Sequence, residues 1–437
     1  MSEQSNLVGR TVYVVDGART PFLKAKGVGP FSGSDLAVQA GRQLLNRLSI
    51  EPEIIDEVII GSAMPGPDEA NIARVIALRL GCGNLVPAFT VMRNCASGMQ
   101  ALDNAAIQIA TGRSEIVLAG GTDAMSQAPI LYSQRMAIWL SHWMTAKTFM
   151  QKMKTVGQFR PSYLAPVIAI LRGLTDPIVG LNMGQTAENL AYKFGITREE
   201  MDEFSVRSHH LLAEAFEKNR MNEVTPIYSG KGKAYAMDDG IRPDSSVEKL
   251  ATLKPFFDKK YGMVTPGNSS QITDGAALLL LASEEAVKKY RLPVLGCIKD
   301  SQWAALNPAQ MGLGPVHAAT PIMQRHQLKP KDLDLWEINE AFAAQVLGCL
   351  KAWDNDKYCK EHLGLDKALG APPIDKLNVD GGAIAAGHPI GASGARIVLH
   401  LLEALKQRKK KHGIAAICIG GGQGGAMYVE QLNKVKG

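Results

Sequence analysis

The sequence predicts an α/β protein of stacked layers built from two duplicated halves. Short apolar runs alternate with helical stretches along the chain. One order of elements, Ala-Ser-Gly, helix, strand, Gly-Gly, occurs near both ends. The size agrees: 437 residues, 46% apolar and 21% charged, make two or three domains at about 150 residues each.

Residues 12–15, 58–60, 116–119, 278–281 and 414–419 are runs of strand length with little polar interruption. Such runs are expected where both faces of a sheet are covered. Residues 36–48, 98–111, 198–219, 341–352 and 394–411 carry helical spacing. The repeat joins these elements. Cys95-Ala96-Ser97-Gly98 opens a helix that ends near Gly112, followed by a strand and Gly120-Gly121. Gly391-Ala392-Ser393-Gly394 opens a second helix ending near Gly413, followed by a strand and Gly420-Gly421-Gly422. Duplication predicts that each half donates one end of a shared site. The expected division is residues 1–123 with 176–285 for the first half and 286–437 for the second.

Residues 124–175 stand apart. They contain no Asp or Glu but include Arg135, Lys147, Lys152, Lys154, Arg160 and Arg172, against a net charge of +6 for the whole chain. Tyr132, Met136, Trp139, Leu140, Trp143, Met150 and Met153 fall near helical spacing, and Pro161 and Pro166 end the pattern. Six cations with two Trp and several Met match interfacial helices, so docking on an anionic membrane surface or a partner subunit is expected. The alternative is that Trp139 and Trp143 pack within the protein. With that segment set aside the chain is near neutral, which argues against nucleic acid. The longest apolar run, residues 163–171, is far short of the ~20 residues needed to span a bilayer. The first nine residues are polar, so a cytoplasmic protein is expected. Six scattered cysteines with no C-x-x-C pair suggest neither a disulfide framework nor a metal site.

Four places carry chemistry. Cys95 lies where an extended run gives way to a helix, and there the dipole and free N–H groups favour thiolate. Alone it reads equally as a buried structural cysteine. His388, on the Gly/Pro turn 387–391, is suited to exchange a proton with a thiol, though most loop histidines are inert. Cys418 ends a strand before a glycine run that would let backbone N–H groups approach a ligand. That run also satisfies G-x-G-x-x-G, but the strand-like residues 426–429 after it argue against a dinucleotide site. Asn339-Glu340-Ala341-Phe342 sets two polar side chains before an apolar helix, where capping is the alternative to a site.

Together these strings resemble the thiolase family: Asn94-Cys95-Ala96-Ser97-Gly98, Asn339-Glu340-Ala341-Phe342, Gly387-His388-Pro389-Ile390-Gly391 and Cys418-Ile419-Gly420-Gly421-Gly422. Residues 184–189 and 267–270 extend the likeness, which stops only in 124–175. The resemblance implies a duplicated five-layered αβαβα fold with an inserted loop domain, and a homodimer or tetramer. It implies an acyltransferase in which His388 activates Cys95 and Cys418 moves protons. Asn339 would hold an enolate-binding water, and the backbone N–H groups of Cys95 and Gly420 would form an oxyanion hole. Ser270, Met311 and Met183 match positions near the pantetheine and acyl pocket. CoA and acyl-CoA are substrates in such an enzyme; no cofactor or metal is implied.

The insertion, residues 239–243 and residues 253–256 resemble the β-subunit of the fatty-acid trifunctional enzyme, which implies a hydratase/dehydrogenase α-subunit partner. That subgroup usually has His where this chain has Asn339. Short-chain members often carry His at the position of Asn182. The expected activity is therefore cleavage of medium or long 3-ketoacyl-CoA in β-oxidation. The alternatives are biosynthetic condensation of two acetyl-CoA and, more remotely, a non-catalytic lipid-binding relative.

Overall fold

The computed structural model describes residues 6–432. In the first half, β1 (Val12–Arg19), α1 (Gly33–Leu48), β2 (Glu57–Gly61), α2 (Ile72–Leu80), β3 (Ala88–Val91), α3 (Ser97–Ala110) and β4 (Ile116–Ala124) follow in sequence. An excursion then contributes α4 (Gln134–Thr145), α5 (Phe149–Gly157), α6 (Met183–Phe194) and α7 (Arg198–Glu217) before β5 (Thr273–Ala282) returns to the sheet. The second half runs β6 (Gly296–Ala305), α8 (Gly314–Arg325), β7 (Leu335–Ile338), α9 (Ala343–Trp353), α10 (Ile390–Gln407), β8 (His412–Ile419) and β9 (Gln423–Gln431).

The two halves share one topology. The first sheet has the order β3-β2-β4-β5-β1, with β3, β2 and β4 parallel and β5 antiparallel to both neighbours. The second has the order β7-β8-β9-β6, with β7 parallel to β8 and β9 antiparallel to both neighbours. A parallel bridge from Trp336 to Leu377 stands where β3 stands in the first. The sheets meet along β1 and β6, where Val12, Tyr13 and Val14 pair with Ile298, Cys297 and Gly296.

Strand alternation distributes side chains among five layers. Val12, Val14, Ile59, Ala415, Ile417 and Ile419 face a central layer made by α3 and α10. Tyr13, Val15, Val58 and Ile60 face α1 and α2 on one outside. Ile414, Ala416 and Cys418 face α6, α8 and α9 on the other. The central helices touch backbone to backbone. A Cβ on Gly98 would lie 2.7 Å from the Gly391 carbonyl oxygen, and one on Gly394 would lie 2.6 Å from the Met99 nitrogen. This explains the repeated Ala-Ser-Gly: only small residues let the two helices close. The second helix starts at Ile390, four residues before the position expected from spacing; the first turn is rich in Gly, Ala and Ser, which hides its period.

The 124–175 segment forms a hairpin of its own. Ile130 and Leu131 pair with Ile168 and Val167 at its base. Ser133 caps α4, and Thr148 with Gln151 closes a capping box on α5, so two helices stand where one periodic stretch is read in the sequence. Trp139 and Trp143 stack 6.0 Å apart, Trp139 meets Phe159 at 5.1 Å, and the Trp139 indole N–H donates to the Thr155 carbonyl. The tryptophans therefore face each other and the hairpin interior. The most exposed apolar side chains of the segment are Met144, Phe149 and Met150, each about 80% exposed.

A buried charge cluster flanks the central helix. His400 of α10 sits 2.8 Å from Glu223, 3.5 Å from Asp380 and 3.9 Å from Glu337. Arg19, Arg396, Arg220 and Arg408 pair with the same acids. Despite burial, these acids hold the imidazole protonated, with its pKa raised to about 10. A raised histidine stabilises the fold fully below its unfolded value near 6.5, and that contribution fades as pH climbs through the folded value. Stability should therefore fall between about pH 6.5 and 10 by up to about 1.4 kcal/mol per pH unit from this group. Urea titrations of wild type and His400→Gln should show the slope flattened in the variant.

Candidate active site

The chain from β3 to α3 makes a tight turn. Asn94 has φ of 43°, a left-handed conformation that Asn tolerates. The Ser97 hydroxyl accepts from the Arg93 N–H at 2.9 Å and donates to the Asn94 carbonyl at 2.7 Å. Cys95 thus sits just ahead of the helix, whose first residue is Ser97. It is partly exposed, whereas the other five cysteines are buried. Its thiol is pushed up by burial, which outweighs the opposing pull of the Gly420 and Cys95 N–H groups. The expectation of a resting thiolate is therefore corrected: removing water costs the anion more than this helix start returns, and a base must take the proton.

His388, the candidate base, has a defined tautomer. His388 is buried on the turn that leads into α10; its N–H donates to the Gln271 carbonyl. Nδ1 lies 2.5 Å from the Ser393 hydroxyl, which donates its own proton to the Pro389 carbonyl. Ser393 must then accept from Nδ1–H, leaving Nε2 with a lone pair. Nε2 is buried without a protein partner. Burial, helped by the Arg396 charge, lowers the imidazole to about 4, so it rests neutral.

Asn339 ends the run out of β7, with its N–H on the Ala416 carbonyl. Its side chain is fully buried, and neither Oδ1 nor Nδ2 has a protein partner. An unpaired buried amide is costly, so such a group marks a place where water or a ligand completes the bonding. The capping alternative fails for both polar residues here. Helix α9 is capped at Phe342 with no side-chain bond. Glu340 accepts from Ser208, Asn378 and the Ile384 N–H, and so fixes the strand of chain that leads to His388.

Cys418 lies on β8, fully buried, with a thiol raised well above its ordinary value by burial and by the neighbouring Cys95 and Cys349. The turn after it, with Gly421 and Gly422 at positive φ, leads directly into β9, so the glycine run joins two strands and opens no helix. Gly420 faces the site: a Cβ there would meet the Met183 sulfur at 3.3 Å. Met311 is buried in the same cluster as Cys418 and Phe342, with Met183 against its edge. Ser270 donates its N–H to the Ala341 carbonyl, between the Asn339 and His388 loops. Asn182 caps α6 in a reciprocal bond with Gln185.

Cys95, Cys418 and Met183 thus meet at the glycine turn, while His388, Asn339 and Ser270 lie on chain segments tied to one another and to β8. Sequence reasoning missed the supports. Buried Asp123 accepts from Ser62, the Met64 N–H and the Gly391 N–H, tying β4 to the histidine turn. Its one signal is its place as the last acid before the acid-free stretch. Glu340 and Ser393 lie inside the quoted strings but were given no supporting role there, and Gln271 only adjoins residues 267–270.

Residues 12–285 match the thiolase N-terminal domain and residues 292–431 the thiolase C-terminal domain. The chain belongs to the thiolase family. It is 36% identical over 427 residues to the mitochondrial trifunctional enzyme subunit beta of Bos taurus, covering 97% of this chain and 89% of that one. It is 38% identical over 437 residues to a 3-ketoacyl-CoA thiolase of Pectobacterium carotovorum, covering 98% and 99%. Human mitochondrial 3-ketoacyl-CoA thiolase, solved with CoA, superposes with a TM-score of 0.83 at 35% identity, covering 99% and 100%. The acetyl-CoA acetyltransferase of Bacillus anthracis gives 0.83 at 36%, covering 98% and 100%.

Proposed function

We propose that this thiolase cleaves 3-ketoacyl-CoA with CoA, giving acetyl-CoA and an acyl-CoA two carbons shorter. The observation that carries the reading is the pair of buried, unpartnered groups, His388 Nε2 and the Asn339 amide, together with the neighbouring thiols of Cys95 and Cys418.

The steps follow from the protonation states. His388 Nε2 takes the Cys95 proton as the sulfur attacks the 3-keto carbon. The C2–C3 bond then breaks, and its electrons pass into the enolate of acetyl-CoA. His388, now protonated, and a water on Asn339 hold the enolate oxygen. Cys418 gives its proton to C2; its raised pKa keeps that proton in place until a carbon base appears. Incoming CoA then transfers its thiol proton to the Cys418 thiolate and attacks the acyl-Cys95 carbonyl. The N–H groups of Cys95 and Gly420 stabilise the tetrahedral oxyanion. Cys95 leaves and recovers its proton from His388.

Met183, Met311 and Phe342 supply an apolar acyl pocket beside Cys418. Each buried CH₂ contributes about 0.8 kcal/mol, so efficiency should rise from four-carbon to eight-carbon 3-ketoacyl-CoA in a thiolysis series. Highest efficiency on acetoacetyl-CoA would instead support a biosynthetic condensing enzyme. Cys418→Ala should abolish exchange of acetyl-CoA α-protons with deuterium oxide; unchanged exchange would remove Cys418 as the carbon base.

The likeness to trifunctional enzyme β-subunits supports an α-subunit partner carrying the preceding hydratase and dehydrogenase steps, and a homodimer or tetramer as the core assembly. For the 124–175 hairpin we infer a peripheral contact with an anionic membrane surface. Among the described residues Arg135, Lys147, Lys154, Arg160 and Arg172 make no ion pair, and Met144, Phe149 and Met150 of the same segment stand exposed. Vesicles rich in anionic lipid should sediment the protein at low salt, and Phe149→Glu/Met150→Glu should release it. No binding of wild type to either anionic or neutral vesicles would defeat this reading.

A further inference from the structure

The Leu306 N–H ties the Gly422 carbonyl of the glycine turn at 2.8 Å, but that bond lies two residues past the Gly420 N–H. Gly421 and Gly422 adopt φ of 93° and 76°, and three consecutive glycines leave the backbone a wide range of conformations. An oxyanion donor must nevertheless stay fixed to within a fraction of an ångström to act. Some other group must restrain this turn, and the structure contains it on the opposite strand of chain. The Asn94 side-chain amide donates to the Gly420 carbonyl at 2.8 Å. One residue earlier, Arg93 donates to the Gln423 side-chain oxygen at 3.1 Å, at the far end of the same turn. The Arg93 guanidinium also lies 4.3 Å over the Trp303 ring, and the Trp303 indole N–H is anchored on Asp103 of α3. Trp303 in turn packs flat on Gly425, where a Cβ would come within 2.5 Å of the ring. Both ends of the glycine turn are thus clasped by the two residues that immediately precede the nucleophile.

We propose that Asn94 is a positioning residue that locks the Gly420 amide against Cys95, with Arg93 as the second clasp, so that nucleophile and oxyanion donor move as one unit. The left-handed φ of Asn94 is part of the device. It turns the side chain across to the Gly420 carbonyl while the next residue presents Cys95, a conformation that Asn adopts with little strain. Asn94 touches no reacting atom in this scheme. Its effect runs through the turn, and the inference rests on the roles given to Cys95 and Gly420 above.

The mechanism separates this role from general support of the fold. Acyl transfer to CoA passes through a tetrahedral oxyanion at Gly420, whereas α-proton exchange of acetyl-CoA uses the enolate site at His388 and Asn339. Asn94→Asp keeps the shape and the tolerated φ but replaces the donor with an acceptor facing a carbonyl. Asn94→Gly keeps the φ and removes the clasp altogether. Thiolysis and exchange should be measured in both variants and in Arg93→Ala, with urea unfolding as the control for folding. The expected result is a fall of about tenfold or more in the ratio of thiolysis kcat to exchange rate for each Asn94 variant, at nearly constant KM. Arg93→Ala should show a smaller fall. Iodoacetamide alkylation of Cys95 should also shift to higher pH, because a loosened Gly420 N–H supports the thiolate less. Equal losses in thiolysis and exchange, or an unchanged ratio with an unchanged alkylation profile, would overturn the proposal. Wild type that neither cleaves 3-ketoacyl-CoA nor exchanges α-protons would instead overturn the function on which it rests.

Discussion

The site depends on the backbone contact between the two central helices. Gly98, Gly391 and Gly394 let α3 and α10 approach so closely that a methyl group at any of the three would collide with backbone or with Asp123. Cys95 precedes one helix and His388 lies two residues before the other, so the distance between nucleophile and base is set by this packing. Duplication then has a mechanical meaning. Each half carries the same sheet with the same helix on its inner face, and closing the inner faces brings two equivalent loops to one end of the molecule. Asp123 reinforces the closure from the side, through its bond to the Gly391 N–H. Each loop is short, and each is held by bonds to chain distant in sequence: Asn94 to the Gly420 carbonyl and His388 to the Gln271 carbonyl.

Burial then decides protonation. Water exclusion raises both thiols and lowers the histidine, so the resting site contains no charge on its reacting groups. A neutral site suits a reaction that moves protons among sulfur, nitrogen and carbon in turn. The contrast with His400 is instructive. That histidine is as buried as His388 but is surrounded by Glu223, Glu337 and Asp380, and it stays protonated. His388 has only Ser393 on Nδ1 and an empty lone pair at Nε2. The same side chain is a fixed cation at position 400 and neutral at position 388, twelve residues earlier, because its neighbours differ.

Much of this was legible in the residues. Runs such as 116–119 and 414–419 announced buried strands, and the paired Ala-Ser-Gly order announced the duplication. Cys95, His388, Asn339 and Cys418 were identified by four strings that together resemble one family. Several of the misses depend on partners distant in sequence. Glu340 stands before a helix and looks like a cap, yet its partners are Ser208, Asn378 and Ile384. The protonation of Cys95 could not be read from its place at a helix start, because burial outweighs the pull of the Gly420 and Cys95 N–H groups. In the 124–175 hairpin, helical spacing located Trp139 and Trp143 but could not show that they stack on each other. Periodicity finds a face; the fold determines what that face meets.

The central claim is that carbon–carbon cleavage passes through an acyl group on Cys95. It is tested most directly by rapid acid quench of the enzyme with a 3-ketoacyl-CoA in the absence of free CoA, followed by peptide mass spectrometry. The account predicts one adduct, with the mass of the shortened acyl chain, on the peptide containing Cys95, and none in Cys95→Ala. An adduct on Cys418, or acetyl-CoA release with no acylated cysteine, would contradict it.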